Sequence, residues 1–384
     1  MTGERVLVTG GTGFIGSHVV PLLRAAAAGS GGPALRLLVH DRPAPDRTAD
    51  GVVETVHGDL ADPATLRGVC AGVTTVLHLA SRVGGDAEQC RAVNHGGTRA
   101  LLAEAGRAGV GRVVQLGTAA VYGDGPHRGA REGSLSEAPV SATSAARLAG
   151  ERLVLAAGGT VVRPYLVYGE GDTWVVPALA RLVRRLPHWV EGGTARLSMV
   201  AAPVLAAALT ELALTAPPPA GGVLHAAHPR PVTVRELIGT VCRTLDLPLP
   251  EGDIGVADAR ERLAPAAGAD LRRHLELISM DRWYDGGRLW SLLRTGPGPD
   301  FTTAFEACAP WYRRAFSGTA APGTVVPGTA TAGTAATETA TAGTATSGTA
   351  ATGTAATGTA ATGTATPAPP APAPARADRP SRSS

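Results

Sequence analysis

Three glycines stand three residues apart near the start of the chain, in the segment TGGTGFIG at positions 9–16. A short apolar run precedes the segment and predicts a buried strand, and the residues after it predict a helix. In such a turn, the first glycine allows a tight bend, the second lets the backbone approach a pyrophosphate, and the third lets the helix pack on the strand. We therefore predict that Gly10, Gly13 and Gly16, with Phe14 and Ile15 between them, bind a dinucleotide at the positive end of the helix.

The end of the second predicted strand indicates which nicotinamide cofactor binds. Proteins that bind NAD usually carry an acid there for the ribose 2′-hydroxyl group, whereas proteins that bind NADP carry a cation for the 2′-phosphate. Here His40 ends the strand and Arg42 follows two residues later, with Asp41 between them. The two basic residues favour NADPH, and the intervening acid leaves NADH as an alternative.

The basic residues limit the possible chemistry further. The chain has 35 basic side chains, and all of them are arginine because the sequence contains no lysine. Any mechanism that depends on a lysine is therefore excluded. A composition rich in alanine, glycine, arginine and proline is typical of a GC-rich genome and explains this bias without a functional cause.

The elements that must position these residues alternate regularly. Six apolar strand-like runs, separated mostly by helical segments, lie between residues 5 and 169. This alternation predicts βαβ units and an α/β fold, a Rossmann-type doubly wound parallel sheet, with a smaller C-terminal substrate lobe. We assign residues 1–169 mainly to the cofactor domain and 170–316 mainly to the substrate lobe, with strands that return to the sheet. Residues 317–384 repeat Ala, Thr, Gly and Pro and predict a disordered tail.

Composition excludes several classes of protein. The formal net charge is +3, and no basic cluster follows a predicted face, so nucleic acid is not an expected partner. No apolar run reaches the roughly 18 residues of a membrane span. The N-terminus lacks the features of a secretory signal, and the four cysteines are scattered, which favours a cytoplasmic protein with reduced thiols. No metal site is assigned, and the protein could be a monomer or a homodimer.

Several motifs in order resemble one family. The glycine segment, GDL at 58–60, HLAS at 78–81, VNHGGT at 93–98, VYG at 121–123 and RPYLVYG at 163–169 resemble the extended short-chain dehydrogenase/reductases, the NAD-dependent epimerase/dehydratase group. The resemblance covers roughly residues 4–316. It implies that Asp59 and Leu60 flank the adenine, and that Leu79, Ala80 and Ser81 line the cofactor.

The family's catalytic residues are a Ser or Thr, a Tyr and a Lys, and two of the three are replaced here. The tyrosine acts as general acid or base with its pKa lowered by the lysine, and the Ser or Thr holds the carbonyl oxygen. Thr118 matches the first position, but Thr143 stands where the tyrosine is expected and Arg147 where the lysine is expected. Glu151 follows where the family commonly has an acid, which supports this alignment. Arg147 can still contact the nicotinamide ribose.

These replacements leave three functional hypotheses. The favoured one is an NADPH-dependent ketoreductase acting on an aromatic polyketide of the angucyclinone type in antibiotic biosynthesis, with the proton supplied by water or by the substrate. The alternatives are a non-catalytic NAD(P)-binding sensor or scaffold, and a nucleotide-sugar epimerase or dehydratase with an altered site. An apolar substrate cap favours the ketoreductase, although the same residues could form the core of the lobe: Trp174, Val175, Val176, Trp189, Met199 and Val200.

Aromatic residues are concentrated near the end of the second lobe. Eight lie in the segment 248–316, namely Trp283, Tyr284, Trp290, Phe301, Phe305, Trp311, Tyr312 and Phe316. They could contact a substrate or simply pack the lobe, and the sequence leaves both alternatives open.

Overall fold

The protein is described from a computed structural model over residues 4–29, 31–40, 53–214, 222–263 and 269–317. Arg42 of the predicted cofactor site lies outside these ranges. So does the predicted tail, 317–384, except for its first residue, Ser317. None of the described helices is long and apolar enough to cross a membrane.

Seven parallel strands form the central sheet. They are β1 (Arg5–Thr9), β2 (Ala34–Val39), β3 (Val53–His57), β4 (Thr75–His78), β5 (Arg112–Leu116), β7 (Thr160–Pro164) and β12 (Val223–Ala226). Their order across the sheet is β12-β7-β5-β4-β1-β2-β3. The chain winds from β1 toward one edge and from β4 toward the other, so a crevice opens where these two strands end. This order confirms the predicted doubly wound Rossmann-type sheet.

Helices cover both faces of this sheet. The helices are α1 (Phe14–Ala27), α2 (Ala87–Arg91), α3 (Thr98–Ala108), α4 (Ala142–Ala156), α5 (Val175–Arg185), α6 (Ala202–Leu214), α7 (Val234–Leu245), α8 (Val256–Leu263), α9 (Ala269–Ile278), α10 (Gly287–Leu292) and α11 (Phe301–Ser317). Alternate residues of β1 face opposite cores: Val6 and Val8 pack with α1 and α6, and Leu7 packs with α3. Both faces of the strand are apolar because both are covered.

Two predicted elements are broken in the structure. The sequence pattern predicts a single helix from about 85 to 108, but in the structure a wider helical turn at Ala92–Gly97 divides it into α2 and α3. Asn94 in this turn bonds both the backbone N–H and the carbonyl of Arg82. The predicted sixth strand also ends early, at Pro164, which has no N–H group to continue a ladder. The following strand, β8 (Leu166–Tyr168), pairs instead with β11 (Met199–Ala201).

A second hydrophobic core lies under α5, α7, α9 and α11. Short strands accompany it: β6 (His127–Ala130), β9 (Trp189–Val190), β10 (Arg196–Leu197), β13 (Val232–Thr233), β14 (Asp253–Ile254) and β15 (Arg282–Tyr284). Most of the aromatic residues in the segment 248–316 pack in the hydrophobic cores. Phe305, for example, stacks between Tyr168 and Tyr312. The domain boundary assigned at residue 169 stays a prediction. Two elements from beyond it return to the first domain: β12 joins the central sheet, and α6 packs in its core.

Candidate cofactor and catalytic site

The turn between β1 and α1 contains the three glycines of the predicted cofactor cradle. Gly10 has φ +70°, a left-handed conformation that favours glycine, and a Cβ atom there would lie 2.6 Å from the backbone nitrogen of Ala80. At Gly16 a Cβ atom would collide with the carbonyl oxygen of Gly10. The first and third glycines of the motif are therefore required by the fold itself.

Gly13 differs, because the protein leaves the space beside its α-carbon almost free. A Cβ atom there would contact only the carbonyl oxygen of Gly10, at 3.3 Å. Gly13 begins α1 without a side-chain cap, and the first turn of the helix carries no acidic residue. The positive end of the helix is thus left available to a phosphate. This arrangement fits a dinucleotide, whose pyrophosphate would lie against Gly13 and the backbone of Phe14 and Ile15, whereas the Ile15 side chain is buried in the core.

His40 and Asp59, both predicted to lie near the adenosine half of the cofactor, are close together in the structure. His40 follows β2 and is exposed, and its Nε2 atom lies 3.3 Å from Oδ2 of Asp59. The other carboxylate oxygen of Asp59 accepts a hydrogen bond from the N–H of Ala61. The structure therefore brings together two residues that the sequence assigned to different parts of the cofactor. Leu60 beside them is buried, and its backbone packs against the α-carbon of Gly97.

A buried hydrogen-bond chain fixes the ends of β1 and β4. The Thr9 hydroxyl bonds Nδ1 of His78 at 2.6 Å and accepts from the N–H of Ala80 at 3.2 Å. Nε2 of His78 bonds the hydroxyl of Thr98 at 3.0 Å. Burial lowers the pKa of His78 to about 4, so the imidazole is neutral near pH 7. Sequence reasoning did not single out His78 or Thr98, although both stand within the motifs it quoted.

The predicted cofactor-lining residues continue along the same edge. Leu79 is buried, and Ala80 and Ser81 are partly exposed. The Ser81 hydroxyl donates to Oδ1 of Asn94 at 3.2 Å. These residues follow β4 directly, so they lie at the crevice where the sheet changes winding direction.

Thr118 follows β5 at the carboxyl edge of the sheet. Its backbone N–H donates to Oε1 of Glu151 at 3.0 Å, and its hydroxyl oxygen accepts from the N–H of Ala120 at 3.2 Å. The second bond uses a lone pair of the hydroxyl group and not its proton. Thr118 can therefore donate to a carbonyl oxygen without losing its local support.

Thr143 and Arg147 lie one turn apart on α4. Nη2 of Arg147 donates to the carbonyl oxygen of Gly117 at 2.8 Å, which places the guanidinium beside Thr118. Burial lowers the pKa of Arg147 from its ordinary value, an effect that Glu151 opposes, yet a guanidinium remains charged in proteins. The Thr143 hydroxyl lies 3.4 Å from the thiol of Cys90. No pattern in the sequence indicated this contact with Cys90.

Glu151 supports the backbone of Thr118, although the sequence indicated it only as part of the family alignment. It is completely buried, and Oε2 accepts from Nε of Arg163 at 2.7 Å. Burial raises the pKa of Glu151, and Arg163 and Arg147 oppose this effect. The carboxylate therefore joins α4 to β7 and holds the backbone at Thr118.

The six residues expected to cap an apolar substrate behave in two ways. Five are buried in the two cores: Val175, Val176, Trp189, Met199 and Val200. For them the core alternative is correct. Trp174 differs, because 41% of its surface is exposed. Within the described part of the chain, no group of three or more His, Cys, Asp or Glu side chains is suited to a metal ion.

Comparison with known proteins agrees with this arrangement. The model of the NAD dependent epimerase/dehydratase family matches residues 6–198. The chain is 30% identical over 272 residues to the 4-hydroxy-2-methyl-3-oxo-4-farnesyl-3,4-dihydroquinoline-1-oxide ketoreductase of Stigmatella aurantiaca, covering 67% of this chain and 78% of that protein. It is 29% identical over 330 residues to the 2-alkyl-3-oxoalkanoate reductase of Stenotrophomonas maltophilia, covering 80% and 91%.

The solved structures show the same fold. One is a dTDP-glucose 4,6-dehydratase from Streptomyces venezuelae with NAD and TYD bound; its TM-score is 0.63 at 24% identity, over 82% of this chain and 98% of that one. The protein belongs to the NAD dependent epimerase/dehydratase family. It is an NAD-dependent oxidoreductase, which sets aside the non-catalytic sensor that the sequence left open.

Proposed function

We propose that the protein reduces a ketone on an aromatic polyketide of the angucyclinone type, in antibiotic biosynthesis, with NADPH as the reductant. The observation that carries this proposal is an intact dinucleotide cradle beside a site where Thr143 replaces the phenol acid. The two relatives named above are a ketoreductase and a 3-oxoalkanoate reductase. Their names include a farnesyl and an alkyl group, which supports a ketone on a largely apolar molecule.

Ketone reduction is the family reaction that suffers least from this replacement. Hydride addition to a carbonyl carbon produces an alkoxide, which water or a neighbouring phenol of the substrate can protonate. Epimerisation and dehydration also need a base that removes a proton as hydride leaves, and Thr143 and Arg147 supply none. Losing a general acid or base typically costs about 10²–10⁴-fold in rate.

Each residue of the site has a defined part in this reaction. When bound, the reduced nicotinamide supplies the hydride. Thr118 donates its hydroxyl proton in a hydrogen bond to the ketone oxygen and so orients the carbonyl group. Arg147, fixed on the carbonyl of Gly117, contributes positive charge and contacts the nicotinamide ribose. The proton itself comes from the substrate's phenol or from water.

The two threonines provide the test of this mechanism. We expect Thr143→Val to leave kcat almost unchanged, because Thr143 does not act as the acid. Thr118→Val should lower kcat by about fivefold, the effect of losing roughly 1 kcal/mol of hydrogen bonding, and Thr118→Ser should retain most activity. Turnover of an angucyclinone ketone is measured by NADPH oxidation. Abolition of turnover by Thr143→Val would contradict the mechanism.

A methylated substrate separates the two proton sources. If the phenol beside the ketone polarises the carbonyl group, its methyl ether should lose most of the rate, whereas water as the source predicts a small change. A parallel assay with dTDP-glucose addresses the remaining alternative. Formation of a 4-keto sugar there would replace the ketoreductase proposal by the nucleotide-sugar one.

The preference for NADPH depends on His40, together with Arg42 outside the described residues. His40 can donate a hydrogen bond to a 2′-phosphate, and hydrogen bonds to charged groups contribute about 1.5–3 kcal/mol. We expect His40→Ala to weaken NADPH binding by at least about tenfold and NADH binding little, and His40→Arg to preserve the preference. Calorimetric titration of both cofactors measures this, and an equal loss for both would point to NADH as the physiological cofactor.

A further inference from the structure

One tyrosine of the chain differs from the others in its exposure. The chain has five tyrosines, and all of them lie within the described residues. Four are buried, namely Tyr122, Tyr168, Tyr284 and Tyr312. Tyr165, between β7 and β8, is the only one of the five that is partly exposed. It is therefore the phenol that a ligand can reach most readily.

Tyr165 follows a strand that is adjacent to the catalytic edge. Leu116 of β5 pairs with Val162 of β7, and the N–H of Gly117 donates to the carbonyl of Val162 at 2.7 Å. Neighbouring strands of a sheet lie only about 5 Å apart. Thr118 and Tyr165 come directly after these two strand ends, so the same edge of the sheet carries both hydroxyl groups.

The packing of the Tyr165 ring agrees with this position. The ring packs against a buried cluster that contains Ala119 and Leu148. These two residues follow Thr118 and Arg147 directly in the chain. Tyr165 is thus supported by the same segments that carry the two residues assigned to the ketone and the nicotinamide ribose.

The Tyr165 hydroxyl holds its proton on a neutral acceptor. It donates to the carbonyl oxygen of Leu277 at 2.9 Å. Leu277 lies in the last turn of α9, where carbonyl groups have no partner within the helix. Hydrogen bonds to ionised acceptors are shorter and roughly twice as strong as those between neutral groups. An alkoxide within reach would therefore take this proton in place of the carbonyl.

Two guanidinium groups and one carboxylate lie near this phenol. Oδ1 of Asp124 accepts from Arg282 at 2.9 Å and from Arg273 at 3.0 Å. Burial raises the pKa of Tyr165 to about 12, Asp124 adds to this effect, and the charges of Arg282 and Arg273 oppose it. Nε of Arg282 is buried without a hydrogen-bond partner in the described part of the chain. The group therefore has positive charge and a free N–H donor with which to stabilise a phenolate.

We propose that Tyr165 is the general acid of this protein and passes a proton from water to the ketone oxygen. The proposal rests on the ketoreductase function, and it specifies how water supplies the proton when no phenol of the substrate lies beside the ketone. As hydride adds to the carbonyl carbon, the π electron pair of the C=O bond moves to the oxygen. The O–H bond of Tyr165 breaks, and its proton bonds to that oxygen. The phenolate then takes a proton from water, and hydroxide leaves to the solvent.

The test compares 1-tetralone with 8-hydroxy-1-tetralone, which carries its own phenol beside the carbonyl group. Tyr165→Phe retains the ring and removes only the hydroxyl group. We expect this variant to lower kcat for 1-tetralone by about 10²-fold or more, and kcat for 8-hydroxy-1-tetralone much less, because that substrate supplies its own proton. Turnover is measured by NADPH oxidation. Tyr168→Phe, in the second core, is the matched control and should change neither rate.

A second measurement needs no turnover. The full chain is loaded with oxidised cofactor and 1-tetralone, and the carbonyl stretching frequency of the bound ketone is recorded by infrared difference spectroscopy. A hydrogen bond from Tyr165 lowers this frequency, so we expect it to rise in Tyr165→Phe and to stay the same in Tyr168→Phe.

The outcomes separate the proton donor from the function. Equal slowing of both ketones by Tyr165→Phe would show that the residue only holds α9 in place, and unchanged rates would show that it has no part in the reaction. Either result overturns the proposal and keeps the ketoreductase function. A frequency that depends on Tyr165, without reduction of any ketone, would support the donor and remove the function. If neither ketone is bound or reduced, both proposals fall.

Discussion

Gly13 and Gly16 lie in the same turn, but the surroundings of their α-carbons differ. Gly16 packs directly on the backbone of Gly10 and Gly11, whereas Gly13 meets only one carbonyl oxygen, at 3.3 Å. Its backbone, with φ −83°, is one that any residue adopts. Their packing thus separates a position required for folding, Gly16, from Gly13, whose predicted role is to admit the pyrophosphate.

Substitution at these two positions should therefore have opposite consequences. We expect Gly13→Ala to leave the melting temperature within a few degrees of the parent while weakening cofactor binding, because the methyl group occupies the phosphate side of the turn. Gly16→Ala should lower the melting temperature strongly, since the helix must move away from β1. Calorimetry and cofactor titration measure the two effects. Unchanged cofactor affinity in a folded Gly13→Ala protein would contradict the assignment of the cradle.

At the scale of elements, the pair Glu151–Arg163 determines how α4 lies against β5 and β7. Both side chains are almost completely buried, at 0% and 2% exposure. Arg163 also donates to Glu137, so the two carboxylates share one guanidinium. Since Glu151 also accepts from the N–H of Thr118, this pair connects the stability of the fold to the geometry of the site.

Removing one partner of this pair should destabilise the protein strongly. Glu151→Ala leaves the buried guanidinium of Arg163 without the fully buried one of its two carboxylates, and the loss of a buried partner costs about 3–5 kcal/mol. We expect the double variant Glu151→Leu with Arg163→Met to lose less than the two single variants together. Urea unfolding measures each free energy. Glu276→Ala, which breaks the more exposed pair with Arg260, is the control and should have a much smaller effect.

At the scale of the whole molecule, buried histidines make stability depend on pH. The pKa of His78 is about 4 in the folded protein because of burial, against about 6.5 in an unfolded chain. Between these values the unfolded state binds more protons, so the free energy of unfolding decreases as the pH falls from about 6.5 to about 4. Above this window His78 contributes no slope.

The expected loss from His78 across this window is at most about 3 kcal/mol, at 1.36 kcal/mol per pKa unit. Burial also lowers the pKa values of His127 and His225, so His78→Gln should reduce the slope without abolishing it. Urea unfolding at a series of pH values measures this. An unchanged slope in His78→Gln would show that the imidazole is not held in its neutral form.

The sequence by itself determined the central sheet and the cofactor cradle. Both depend on local patterns, namely apolar runs that alternate with helical segments and glycines at fixed spacing. The sequence also predicts that Thr143 and Arg147 stand at the family's Tyr and Lys positions, from their spacing to Thr118, and this assignment stays a prediction. The breaks at Pro164 and at Ala92–Gly97 were not predicted, since the wider turn is stabilised by contacts of Asn94 with a residue twelve positions earlier.

Only the tertiary structure decided which side chains beyond residue 169 are buried and which are exposed. Trp174 and Val176 belong to the same apolar run, but one is 41% exposed and the other 0%. Val176 lies in the second hydrophobic core, together with residues from helices much later in the chain, whereas Trp174 contacts His274 outside that cluster. Likewise, nothing in the local sequence distinguishes Glu151 and Arg163 from charged residues on the surface. They become a buried pair only when α4 packs on β7. Burial depends on what distant segments cover, and local sequence does not contain that information.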